Sequence, residues 1–356
     1  MEEYLGFVDG KKSRSKAVVL RSNKIHTRYY SRDKQGNSTH TNAELTAEAI
    51  KALCTDGFSL NDIELLTSGT TSPDQILPAH GIMVHGLLKT KPLETITFAG
   101  SCCSGMNALK YAYMSVLTGN TNNAVTTGSE KLSTWMSAQT FQEEANKLKE
   151  LEGNPMLAFE KDFLRWMLSD GAAAALISNK PNANGISLKI EWIEIYSFAN
   201  ETEPCMYVGS EKDENGKLHG WTEFSQKEWL EKSIFAMKQD ARLLDKYIAQ
   251  LGTKKYVELF KKHNVDPHSI DWFLPHISSE FFRSKVDDEM KKYGVQLPQE
   301  KWFVNLTSLG NIGAASIFLA LEELMNSGKL QKGQKIALTI PESAHFSYAN
   351  ALLTVV

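Results

Sequence analysis

The chain has 356 residues, of which 42% are hydrophobic and 23% charged, and a formal net charge of −3. This is an ordinary globular composition at a length that suits two fused halves and a large core. The absence of a basic stripe argues against nucleic acid as the main partner, and no apolar run approaches the ~20 residues of a membrane span.

The first residues, MEEYLGFVDGKKSRSK, lack the apolar segment of a signal peptide, which predicts a cytoplasmic protein. Helical periodicity then runs from Asn42 to Cys54, and "IELLTSG" (Ile63 to Gly69) reads as a buried strand. A helix is predicted over Ile82 to Leu88, a short strand over Thr95 to Ala99, and a helix over Asn107 to Leu117. "AVTTGSE" (Ala124 to Glu130) and "DGAAAALIS" (Asp170 to Ser178) read as strands, the second so rich in small residues that it implies close backbone packing. Asn182 to Gly185 reads as a boundary loop, after which "ISLKIEWIEI" begins a new strand. Two helices are predicted over Gln226 to Leu251 and Lys254 to His263, followed by apolar segments around "IDWFLPHIS", "KIALTIPES" and "YANALLTVV". Strands alternating with helices predict an α/β fold with mostly parallel sheets.

The halves echo each other. Cys103 opens a helix that ends near Gly119 and precedes a strand; Asn311 opens one that ends near Gly328 and precedes another. This weak duplication predicts two halves, residues 1–181 and 182–356, with both helix starts at the centre. Pro155 to Met167 and Cys205 to Trp221 fit neither repeat and read as insertions that shape a site.

Cys54, Cys102, Cys103 and Cys205 are too few and too scattered for a disulfide framework. Zinc would want CxxC-type spacing and a second cluster, so no metal is expected. Cys102 reads as a buried structural cysteine. Cys103 sits at a strand-to-helix turn, where free N–H groups and the helix dipole should lower a thiol pKa. His276 ends an apolar strand and, taken singly, reads as a satisfied core histidine; Asn311, taken singly, reads as an N-cap.

Taken together, "GSCCSGM" around Cys103, "TTGSEKL" at Thr126 to Leu132, "LSDGAAAALIS" at Leu168 to Ser178, "WFLPHIS" around His276 and "LGNIGAASI" around Asn311 carry a resemblance. In order and spacing the chain resembles the thiolase superfamily, and within it β-ketoacyl-ACP synthase III and its relatives. The resemblance implies a duplicated α-β-α-β-α layered fold with two mixed sheets. It also implies that Cys103 takes an acyl group from a thioester, and that His276 and Asn311 hydrogen-bond the carbonyl of a malonyl-type extender as its enolate forms. It implies no organic cofactor, acyl-CoA or acyl carrier protein as substrate or partner, and a homodimer. True thiolases carry a second cysteine near the C-terminus, whereas none follows Cys205 here. Acyl transfer to a hydroxyl or amine without decarboxylation stays open, as does a non-catalytic partner subunit of a ketosynthase pair.

The pattern also has departures. In "PESAHFSYANAL", Ala344 and His345 stand where the family has glycines, so the His345 N–H becomes the oxyanion-hole candidate, its imidazole a candidate to reach the pocket, and Phe346 a pocket candidate. "RSNKIHTRYY" resembles a region that follows the family's first strand. The first sheet is therefore expected to lack an edge or central strand, as in a shortened chain or one begun at an internal methionine. Arg21 matches one CoA-holding arginine; the other is replaced by Phe281, with Arg283 nearby. Leu77 stands where the partner subunit contributes an aromatic pocket residue, which would admit a longer or bulkier acyl chain. Lys254, Lys255, Lys261 and Lys262 form either a carrier-protein docking patch or a solvated helix face. The insertion at Pro155 looks more like specialised-metabolism members, such as ketosynthases of dialkylresorcinol or aryl polyene pathways.

Overall fold

The computed structural model describes residues 1–13, 15–55, 57–140, 163–183 and 185–356. Two short helices open the chain, α1 (Glu2–Leu5) and α2 (Lys16–Ser22). The first half continues with α3 (Asn42–Lys51), β1 (Leu65–Thr70), α4 (His80–Leu88), β2 (Glu94–Ala99), α5 (Ser104–Leu117), β3 (Asn123–Glu130) and β4 (Gly171–Ser178). Its sheet runs in the order β2-β1-β3-β4, with β4 antiparallel to β3. The second half has β5 (Leu188–Ser197), a small insertion of β6 (Met206–Tyr207), β7 (Ser210–Lys212), β8 (Leu218–Gly220), α6 (Gln226–Glu231) and β9 (Lys238–Gln239), then α7 (Ala241–Lys262) and β10 (Trp272–Pro275). It closes with α8 (Phe281–Lys292), α9 (Leu306–Leu309), α10 (Ser316–Asn326), β11 (Lys335–Glu342) and β12 (Ser347–Val355).

The second sheet runs β10-β11-β12-β5, with β12 antiparallel to both neighbours. Both sheets are therefore mixed, and only half of their pairings are parallel. In the second sheet β12 is covered by β5, whereas among the described residues its counterpart β4 is left as the edge of the first sheet. The layers are α3 and α4, the first sheet, α5 and α10, the second sheet, then α7 and α8. The connection from β4 to β5 spans residues 179–187, where the sequence placed its boundary loop.

Local chemistry explains the elements. Thr41 and Glu44 cap α3 reciprocally, and the Asp74 carboxylate takes the next two N–H groups, from Asn42 and Ala43. The small residues of β4 let α3 lie close, with Ala174 packed beside Ala43 and Ala47. The two inner helices meet through glycine: a Cβ on Gly105 would sit 2.4 Å from the Ala314 carbonyl oxygen, and one on Gly128 2.2 Å from it. The start of α5 therefore touches the turn that leads into α10, as the duplication predicts.

One expected boundary moves. Gly252 does not end a helix: α7 continues through it to Lys262, and the break falls earlier, between Glu231 and Ala241. Asp240, whose carboxylate accepts from the N–H groups of Arg242 and Leu243, marks the true start. The insertion expected from Pro155 lies outside the described residues up to 162, and residues 163–167 are helical. No helix among the described residues is long and apolar enough to cross a membrane.

Candidate active site

Cys103 is the residue before α5, and its side chain is 2% exposed. Its thiol donates to the Ile340 carbonyl of β11 at 3.4 Å. Its N–H donates to Glu342 Oε2 at 3.0 Å. The expected lowering of the thiol pKa is overturned: burial, and then the Glu342 carboxylate, push it well above the ordinary thiol value. The local effect of the helix start is outweighed by burial of the thiol and by the Glu342 carboxylate beside it. Cys102 is likewise buried and pushed up to about 12 by burial.

His276 follows β10 directly. Its backbone N–H donates to the Thr339 carbonyl of β11 at 2.8 Å, continuing the parallel ladder by one step. The imidazole is buried, at 7% exposure, and its Nε2 has no hydrogen-bond partner among the described residues. Burial lowers its pKa to about 4, so the ring is neutral at physiological pH and can donate one N–H. It lines a small cleft with Asn305, Gly310 and Ser316. It is therefore not the satisfied core histidine that a lone His suggests.

Asn311 lies before the 3₁₀ turn Gly313–Ala315 and α10, so it does not itself cap the helix. Its N–H donates to Met167 O at 3.0 Å and its carbonyl accepts from Ser169 N–H at 3.0 Å, which locks the backbone. Its Oδ1 accepts from Gly313 N–H at 3.0 Å, leaving the amide Nδ2 as the donor. Beneath this turn, fully buried Glu130 accepts from Ala314 N–H at 3.2 Å, Thr71 Oγ1 at 2.7 Å and Ser72 Oγ at 2.6 Å. Glu130 thus ties the end of β3 and the loop after β1 to the Asn311 segment.

The other candidates fall elsewhere. The His345 imidazole does not reach the pocket: its Nε2 donates to the Thr202 carbonyl at 2.8 Å. Phe346 adopts φ +55 and is buried with Phe198, Cys205, Ile248 and Tyr348, outside the buried cluster that holds Cys103. Leu77 is 81% exposed. Arg21 is exposed on the last turn of α2. Arg283 is not an unengaged anion holder, because Glu280 clamps its guanidinium through two bonds of 2.9 and 3.0 Å. Of the four lysines on α7, Lys255 pairs with Glu258 and Lys262 with Glu194, as on a solvated helix face. Among the described residues no group of three or more metal-ligating side chains converges.

Sequence reasoning missed Glu342 and the role of Glu130. The signal for Glu342 was its parity: Ile336, Leu338 and Ile340 pack into the inner core beside Cys103, and period two puts residue 342 on that same face.

Residues 260–353 match the family described as 3-oxoacyl-[acyl-carrier-protein] synthase III C terminal. A β-ketoacyl-[acyl-carrier-protein] synthase III of Clostridium perfringens is 26% identical over 318 residues, 88% of this chain and 83% of the relative. One from Chlorobaculum tepidum is 22% identical over 79% of this chain and 74% of the relative. Among solved structures, a single-residue variant of OleA from Xanthomonas campestris superposes with a TM-score of 0.72 at 19% identity, covering 98% of this chain and 89% of that one. Synthase III of Aquifex aeolicus superposes with a TM-score of 0.67 at 20% identity, covering 95% and 91%. The fold is thus that of the thiolase-like condensing enzymes. Residues 260–353 match the synthase III C-terminal family, and over 88% of its length the chain is similar to β-ketoacyl-[acyl-carrier-protein] synthase III, which supports an acyl-transferring condensing enzyme.

Proposed function

We propose that this protein forms a carbon–carbon bond by decarboxylative Claisen condensation on Cys103. The supporting observation is that Cys103 and His276 both hydrogen-bond β11, at the adjacent residues Ile340 and Thr339, with the neutral His276 Nε2 buried and without a partner among the described residues.

The Cys103 sulfur attacks the carbonyl carbon of an acyl thioester. The bond from that carbon to the donor's sulfur breaks, the donor thiol leaves with the proton from Cys103, and an acyl-cysteine remains. A malonyl-type thioester then loses carbon dioxide, and the bonding pair becomes an enolate. His276 Nε2–H and Asn311 Nδ2–H stabilise the developing oxyanion, the ring neutral and the amide oriented by Gly313. The enolate carbon attacks the acyl-cysteine carbonyl, the S–C bond breaks, a β-ketoacyl thioester leaves, and the departing thiolate takes a proton from water to restore the Cys103 thiol. The residues named suffice for these steps without a resident metal or organic cofactor.

The same reading assigns acyl-CoA or an acyl carrier protein as donor, a homodimer in which Leu77 serves the partner's pocket, cytoplasmic residence, and a division into halves at 181/182. Exposure of Leu77 together with Ile76 supports the second of these. The test is the intact mass of the protein after incubation with a panel of acyl-CoA and acyl-carrier thioesters, beside Cys103→Ala. An acyl increment in the wild type alone is expected. An equal increment in the variant, or none in either, would overturn the reading.

A further inference from the structure

We propose that Glu342 is a positioning residue for Cys103, holding the nucleophile's own N–H until an incoming thioester displaces its carboxylate. The proposal rests on Cys103 being the acyl acceptor. It starts from the alternation of β11. Ile336, Leu338 and Ile340 fill the inner core, and the next inward position carries a carboxylate in place of an apolar side chain.

That carboxylate has a specific occupation. Oε2 accepts the Cys103 N–H at 3.0 Å, and the Ser101 backbone also hydrogen-bonds the group. The turn that follows is clasped by the inserted segment. Ala344 O accepts from the N–H groups of Cys205 and Met206 at 2.9 and 3.2 Å, and Phe346 O accepts from Phe198 N–H at 3.0 Å. Gln239 Nε2 also donates to Ser343 Oγ and the His345 ring to Thr202 O, so the turn after Glu342 is tied through side chains as well as backbone. The side chain is therefore placed by the fold and is not a loose surface group.

The chemistry follows from where the N–H points. When a cysteine attacks a thioester, the carbonyl oxygen turns negative beside the sulfur, and the cysteine's own N–H is the nearest fixed donor. A carboxylate on that N–H competes with the oxygen and keeps a negative charge near the sulfur. Displacement exchanges one N–H···O bond for another, and Glu342 transfers no atom or electron. Among the described residues, the other titratable groups that bear on this cluster are Cys102, Tyr348 and, through Cys102, Glu130, and none of these is a cation that would offset Glu342.

Two variants of the full chain test this. Glu342→Gln keeps the shape and removes the charge; Glu342→Ala also vacates the N–H. Alkylation of Cys103 by iodoacetamide is followed against pH by peptide mass, alongside acyl mass gain from an acyl-CoA. We expect alkylation about tenfold faster at fixed pH in both variants, the profile shifted to lower pH by about one unit, and acyl loading at least threefold faster in Glu342→Ala. A profile unchanged in Glu342→Gln, or slower loading in both variants, overturns the proposal. Absence of loading in the wild type, with the profile still shifted in Glu342→Gln, would overturn the acyl-acceptor reading while leaving the hold of Glu342 on Cys103 in place.

Discussion

Cys103 and His276 hang on neighbouring carbonyls of one strand: the thiol donates to Ile340 O at 3.4 Å, and the His276 N–H to Thr339 O at 2.8 Å. The two residues come from opposite halves of the chain, so β11 serves as the common ruler between them. Acyl loading requires only the cysteine, whereas enolate formation requires the donors. His276→Ala and Asn311→Ala are each expected to keep self-acylation while slowing carbon dioxide release from a malonyl thioester by about 10² to 10³. Parallel intact-mass and carbon dioxide assays read the two steps; a variant that lost both equally would contradict the separation.

Acid should destabilise the fold through two imidazoles. His276 and His80 are both buried, and burial lowers each pKa from 6.5 to about 4. The unfolded chain therefore binds more protons across that window, and stability rises with pH. The contribution is complete above about 6.5 and is lost as pH falls toward 4, on the order of 3 kcal/mol per ring at the acid end. Urea denaturation at pH 7 and 4.5 should show a smaller acid loss for His80→Gln than for the wild type. The amide can replace the imidazole's contacts with Thr46 Oγ1 and Ser129 Oγ, 3.2 and 3.1 Å from Nε2.

Glu130 supports the Asn311 segment without standing at the reacting atoms. Glu130→Ala leaves the N–H of Ala314 and the hydroxyls of Thr71 and Ser72 without their acceptor. A loss of about 3 kcal/mol is expected, with a larger fall in decarboxylation than in self-acylation. Glu130→Gln should recover part of both, which denaturation midpoints and the two rates can show.

Gly128→Ala is expected to cost about 3 kcal/mol or more, since its new carbon would meet the Ala314 oxygen at 2.2 Å and backbone must move. Gly86→Ala, where no described residue lies within 4 Å of the new carbon, is the control and should be neutral or mildly stabilising. Melting temperatures of the two variants decide it.

Much of the scaffold was readable because it is periodic. β1 and β3 announce themselves as short apolar runs, and α5 by its spacing after the cysteine pair. The parts that were not readable depend on contacts far apart in sequence. Nothing local to Gly252 says that the Tyr348 ring packs at the place its side chain would occupy, so a helix break there was a natural expectation. The thiol pKa was misjudged for the same reason. The dipole at Cys103 is a local property, but the burial that chiefly outweighs it is set by tertiary packing, and the carboxylate that adds to it lies 239 positions away in the chain. Arg283 likewise resembled an anion holder until its own helix supplied Glu280. The mixed character of the second sheet depends on the β11–β12 hairpin, whose turn lacks the glycines that would have marked it.

The contact between Gly105, Gly128 and Ala314 has a thermodynamic consequence. Ala173 of the first sheet and Ile193, Ile317 and Leu338 of the second half share one buried cluster with Cys103. Neither half can melt without stripping the other's inner face. A scanning calorimeter should therefore record a single heat-absorption peak whose calorimetric and van't Hoff enthalpies agree, although the chain carries the arithmetic of two.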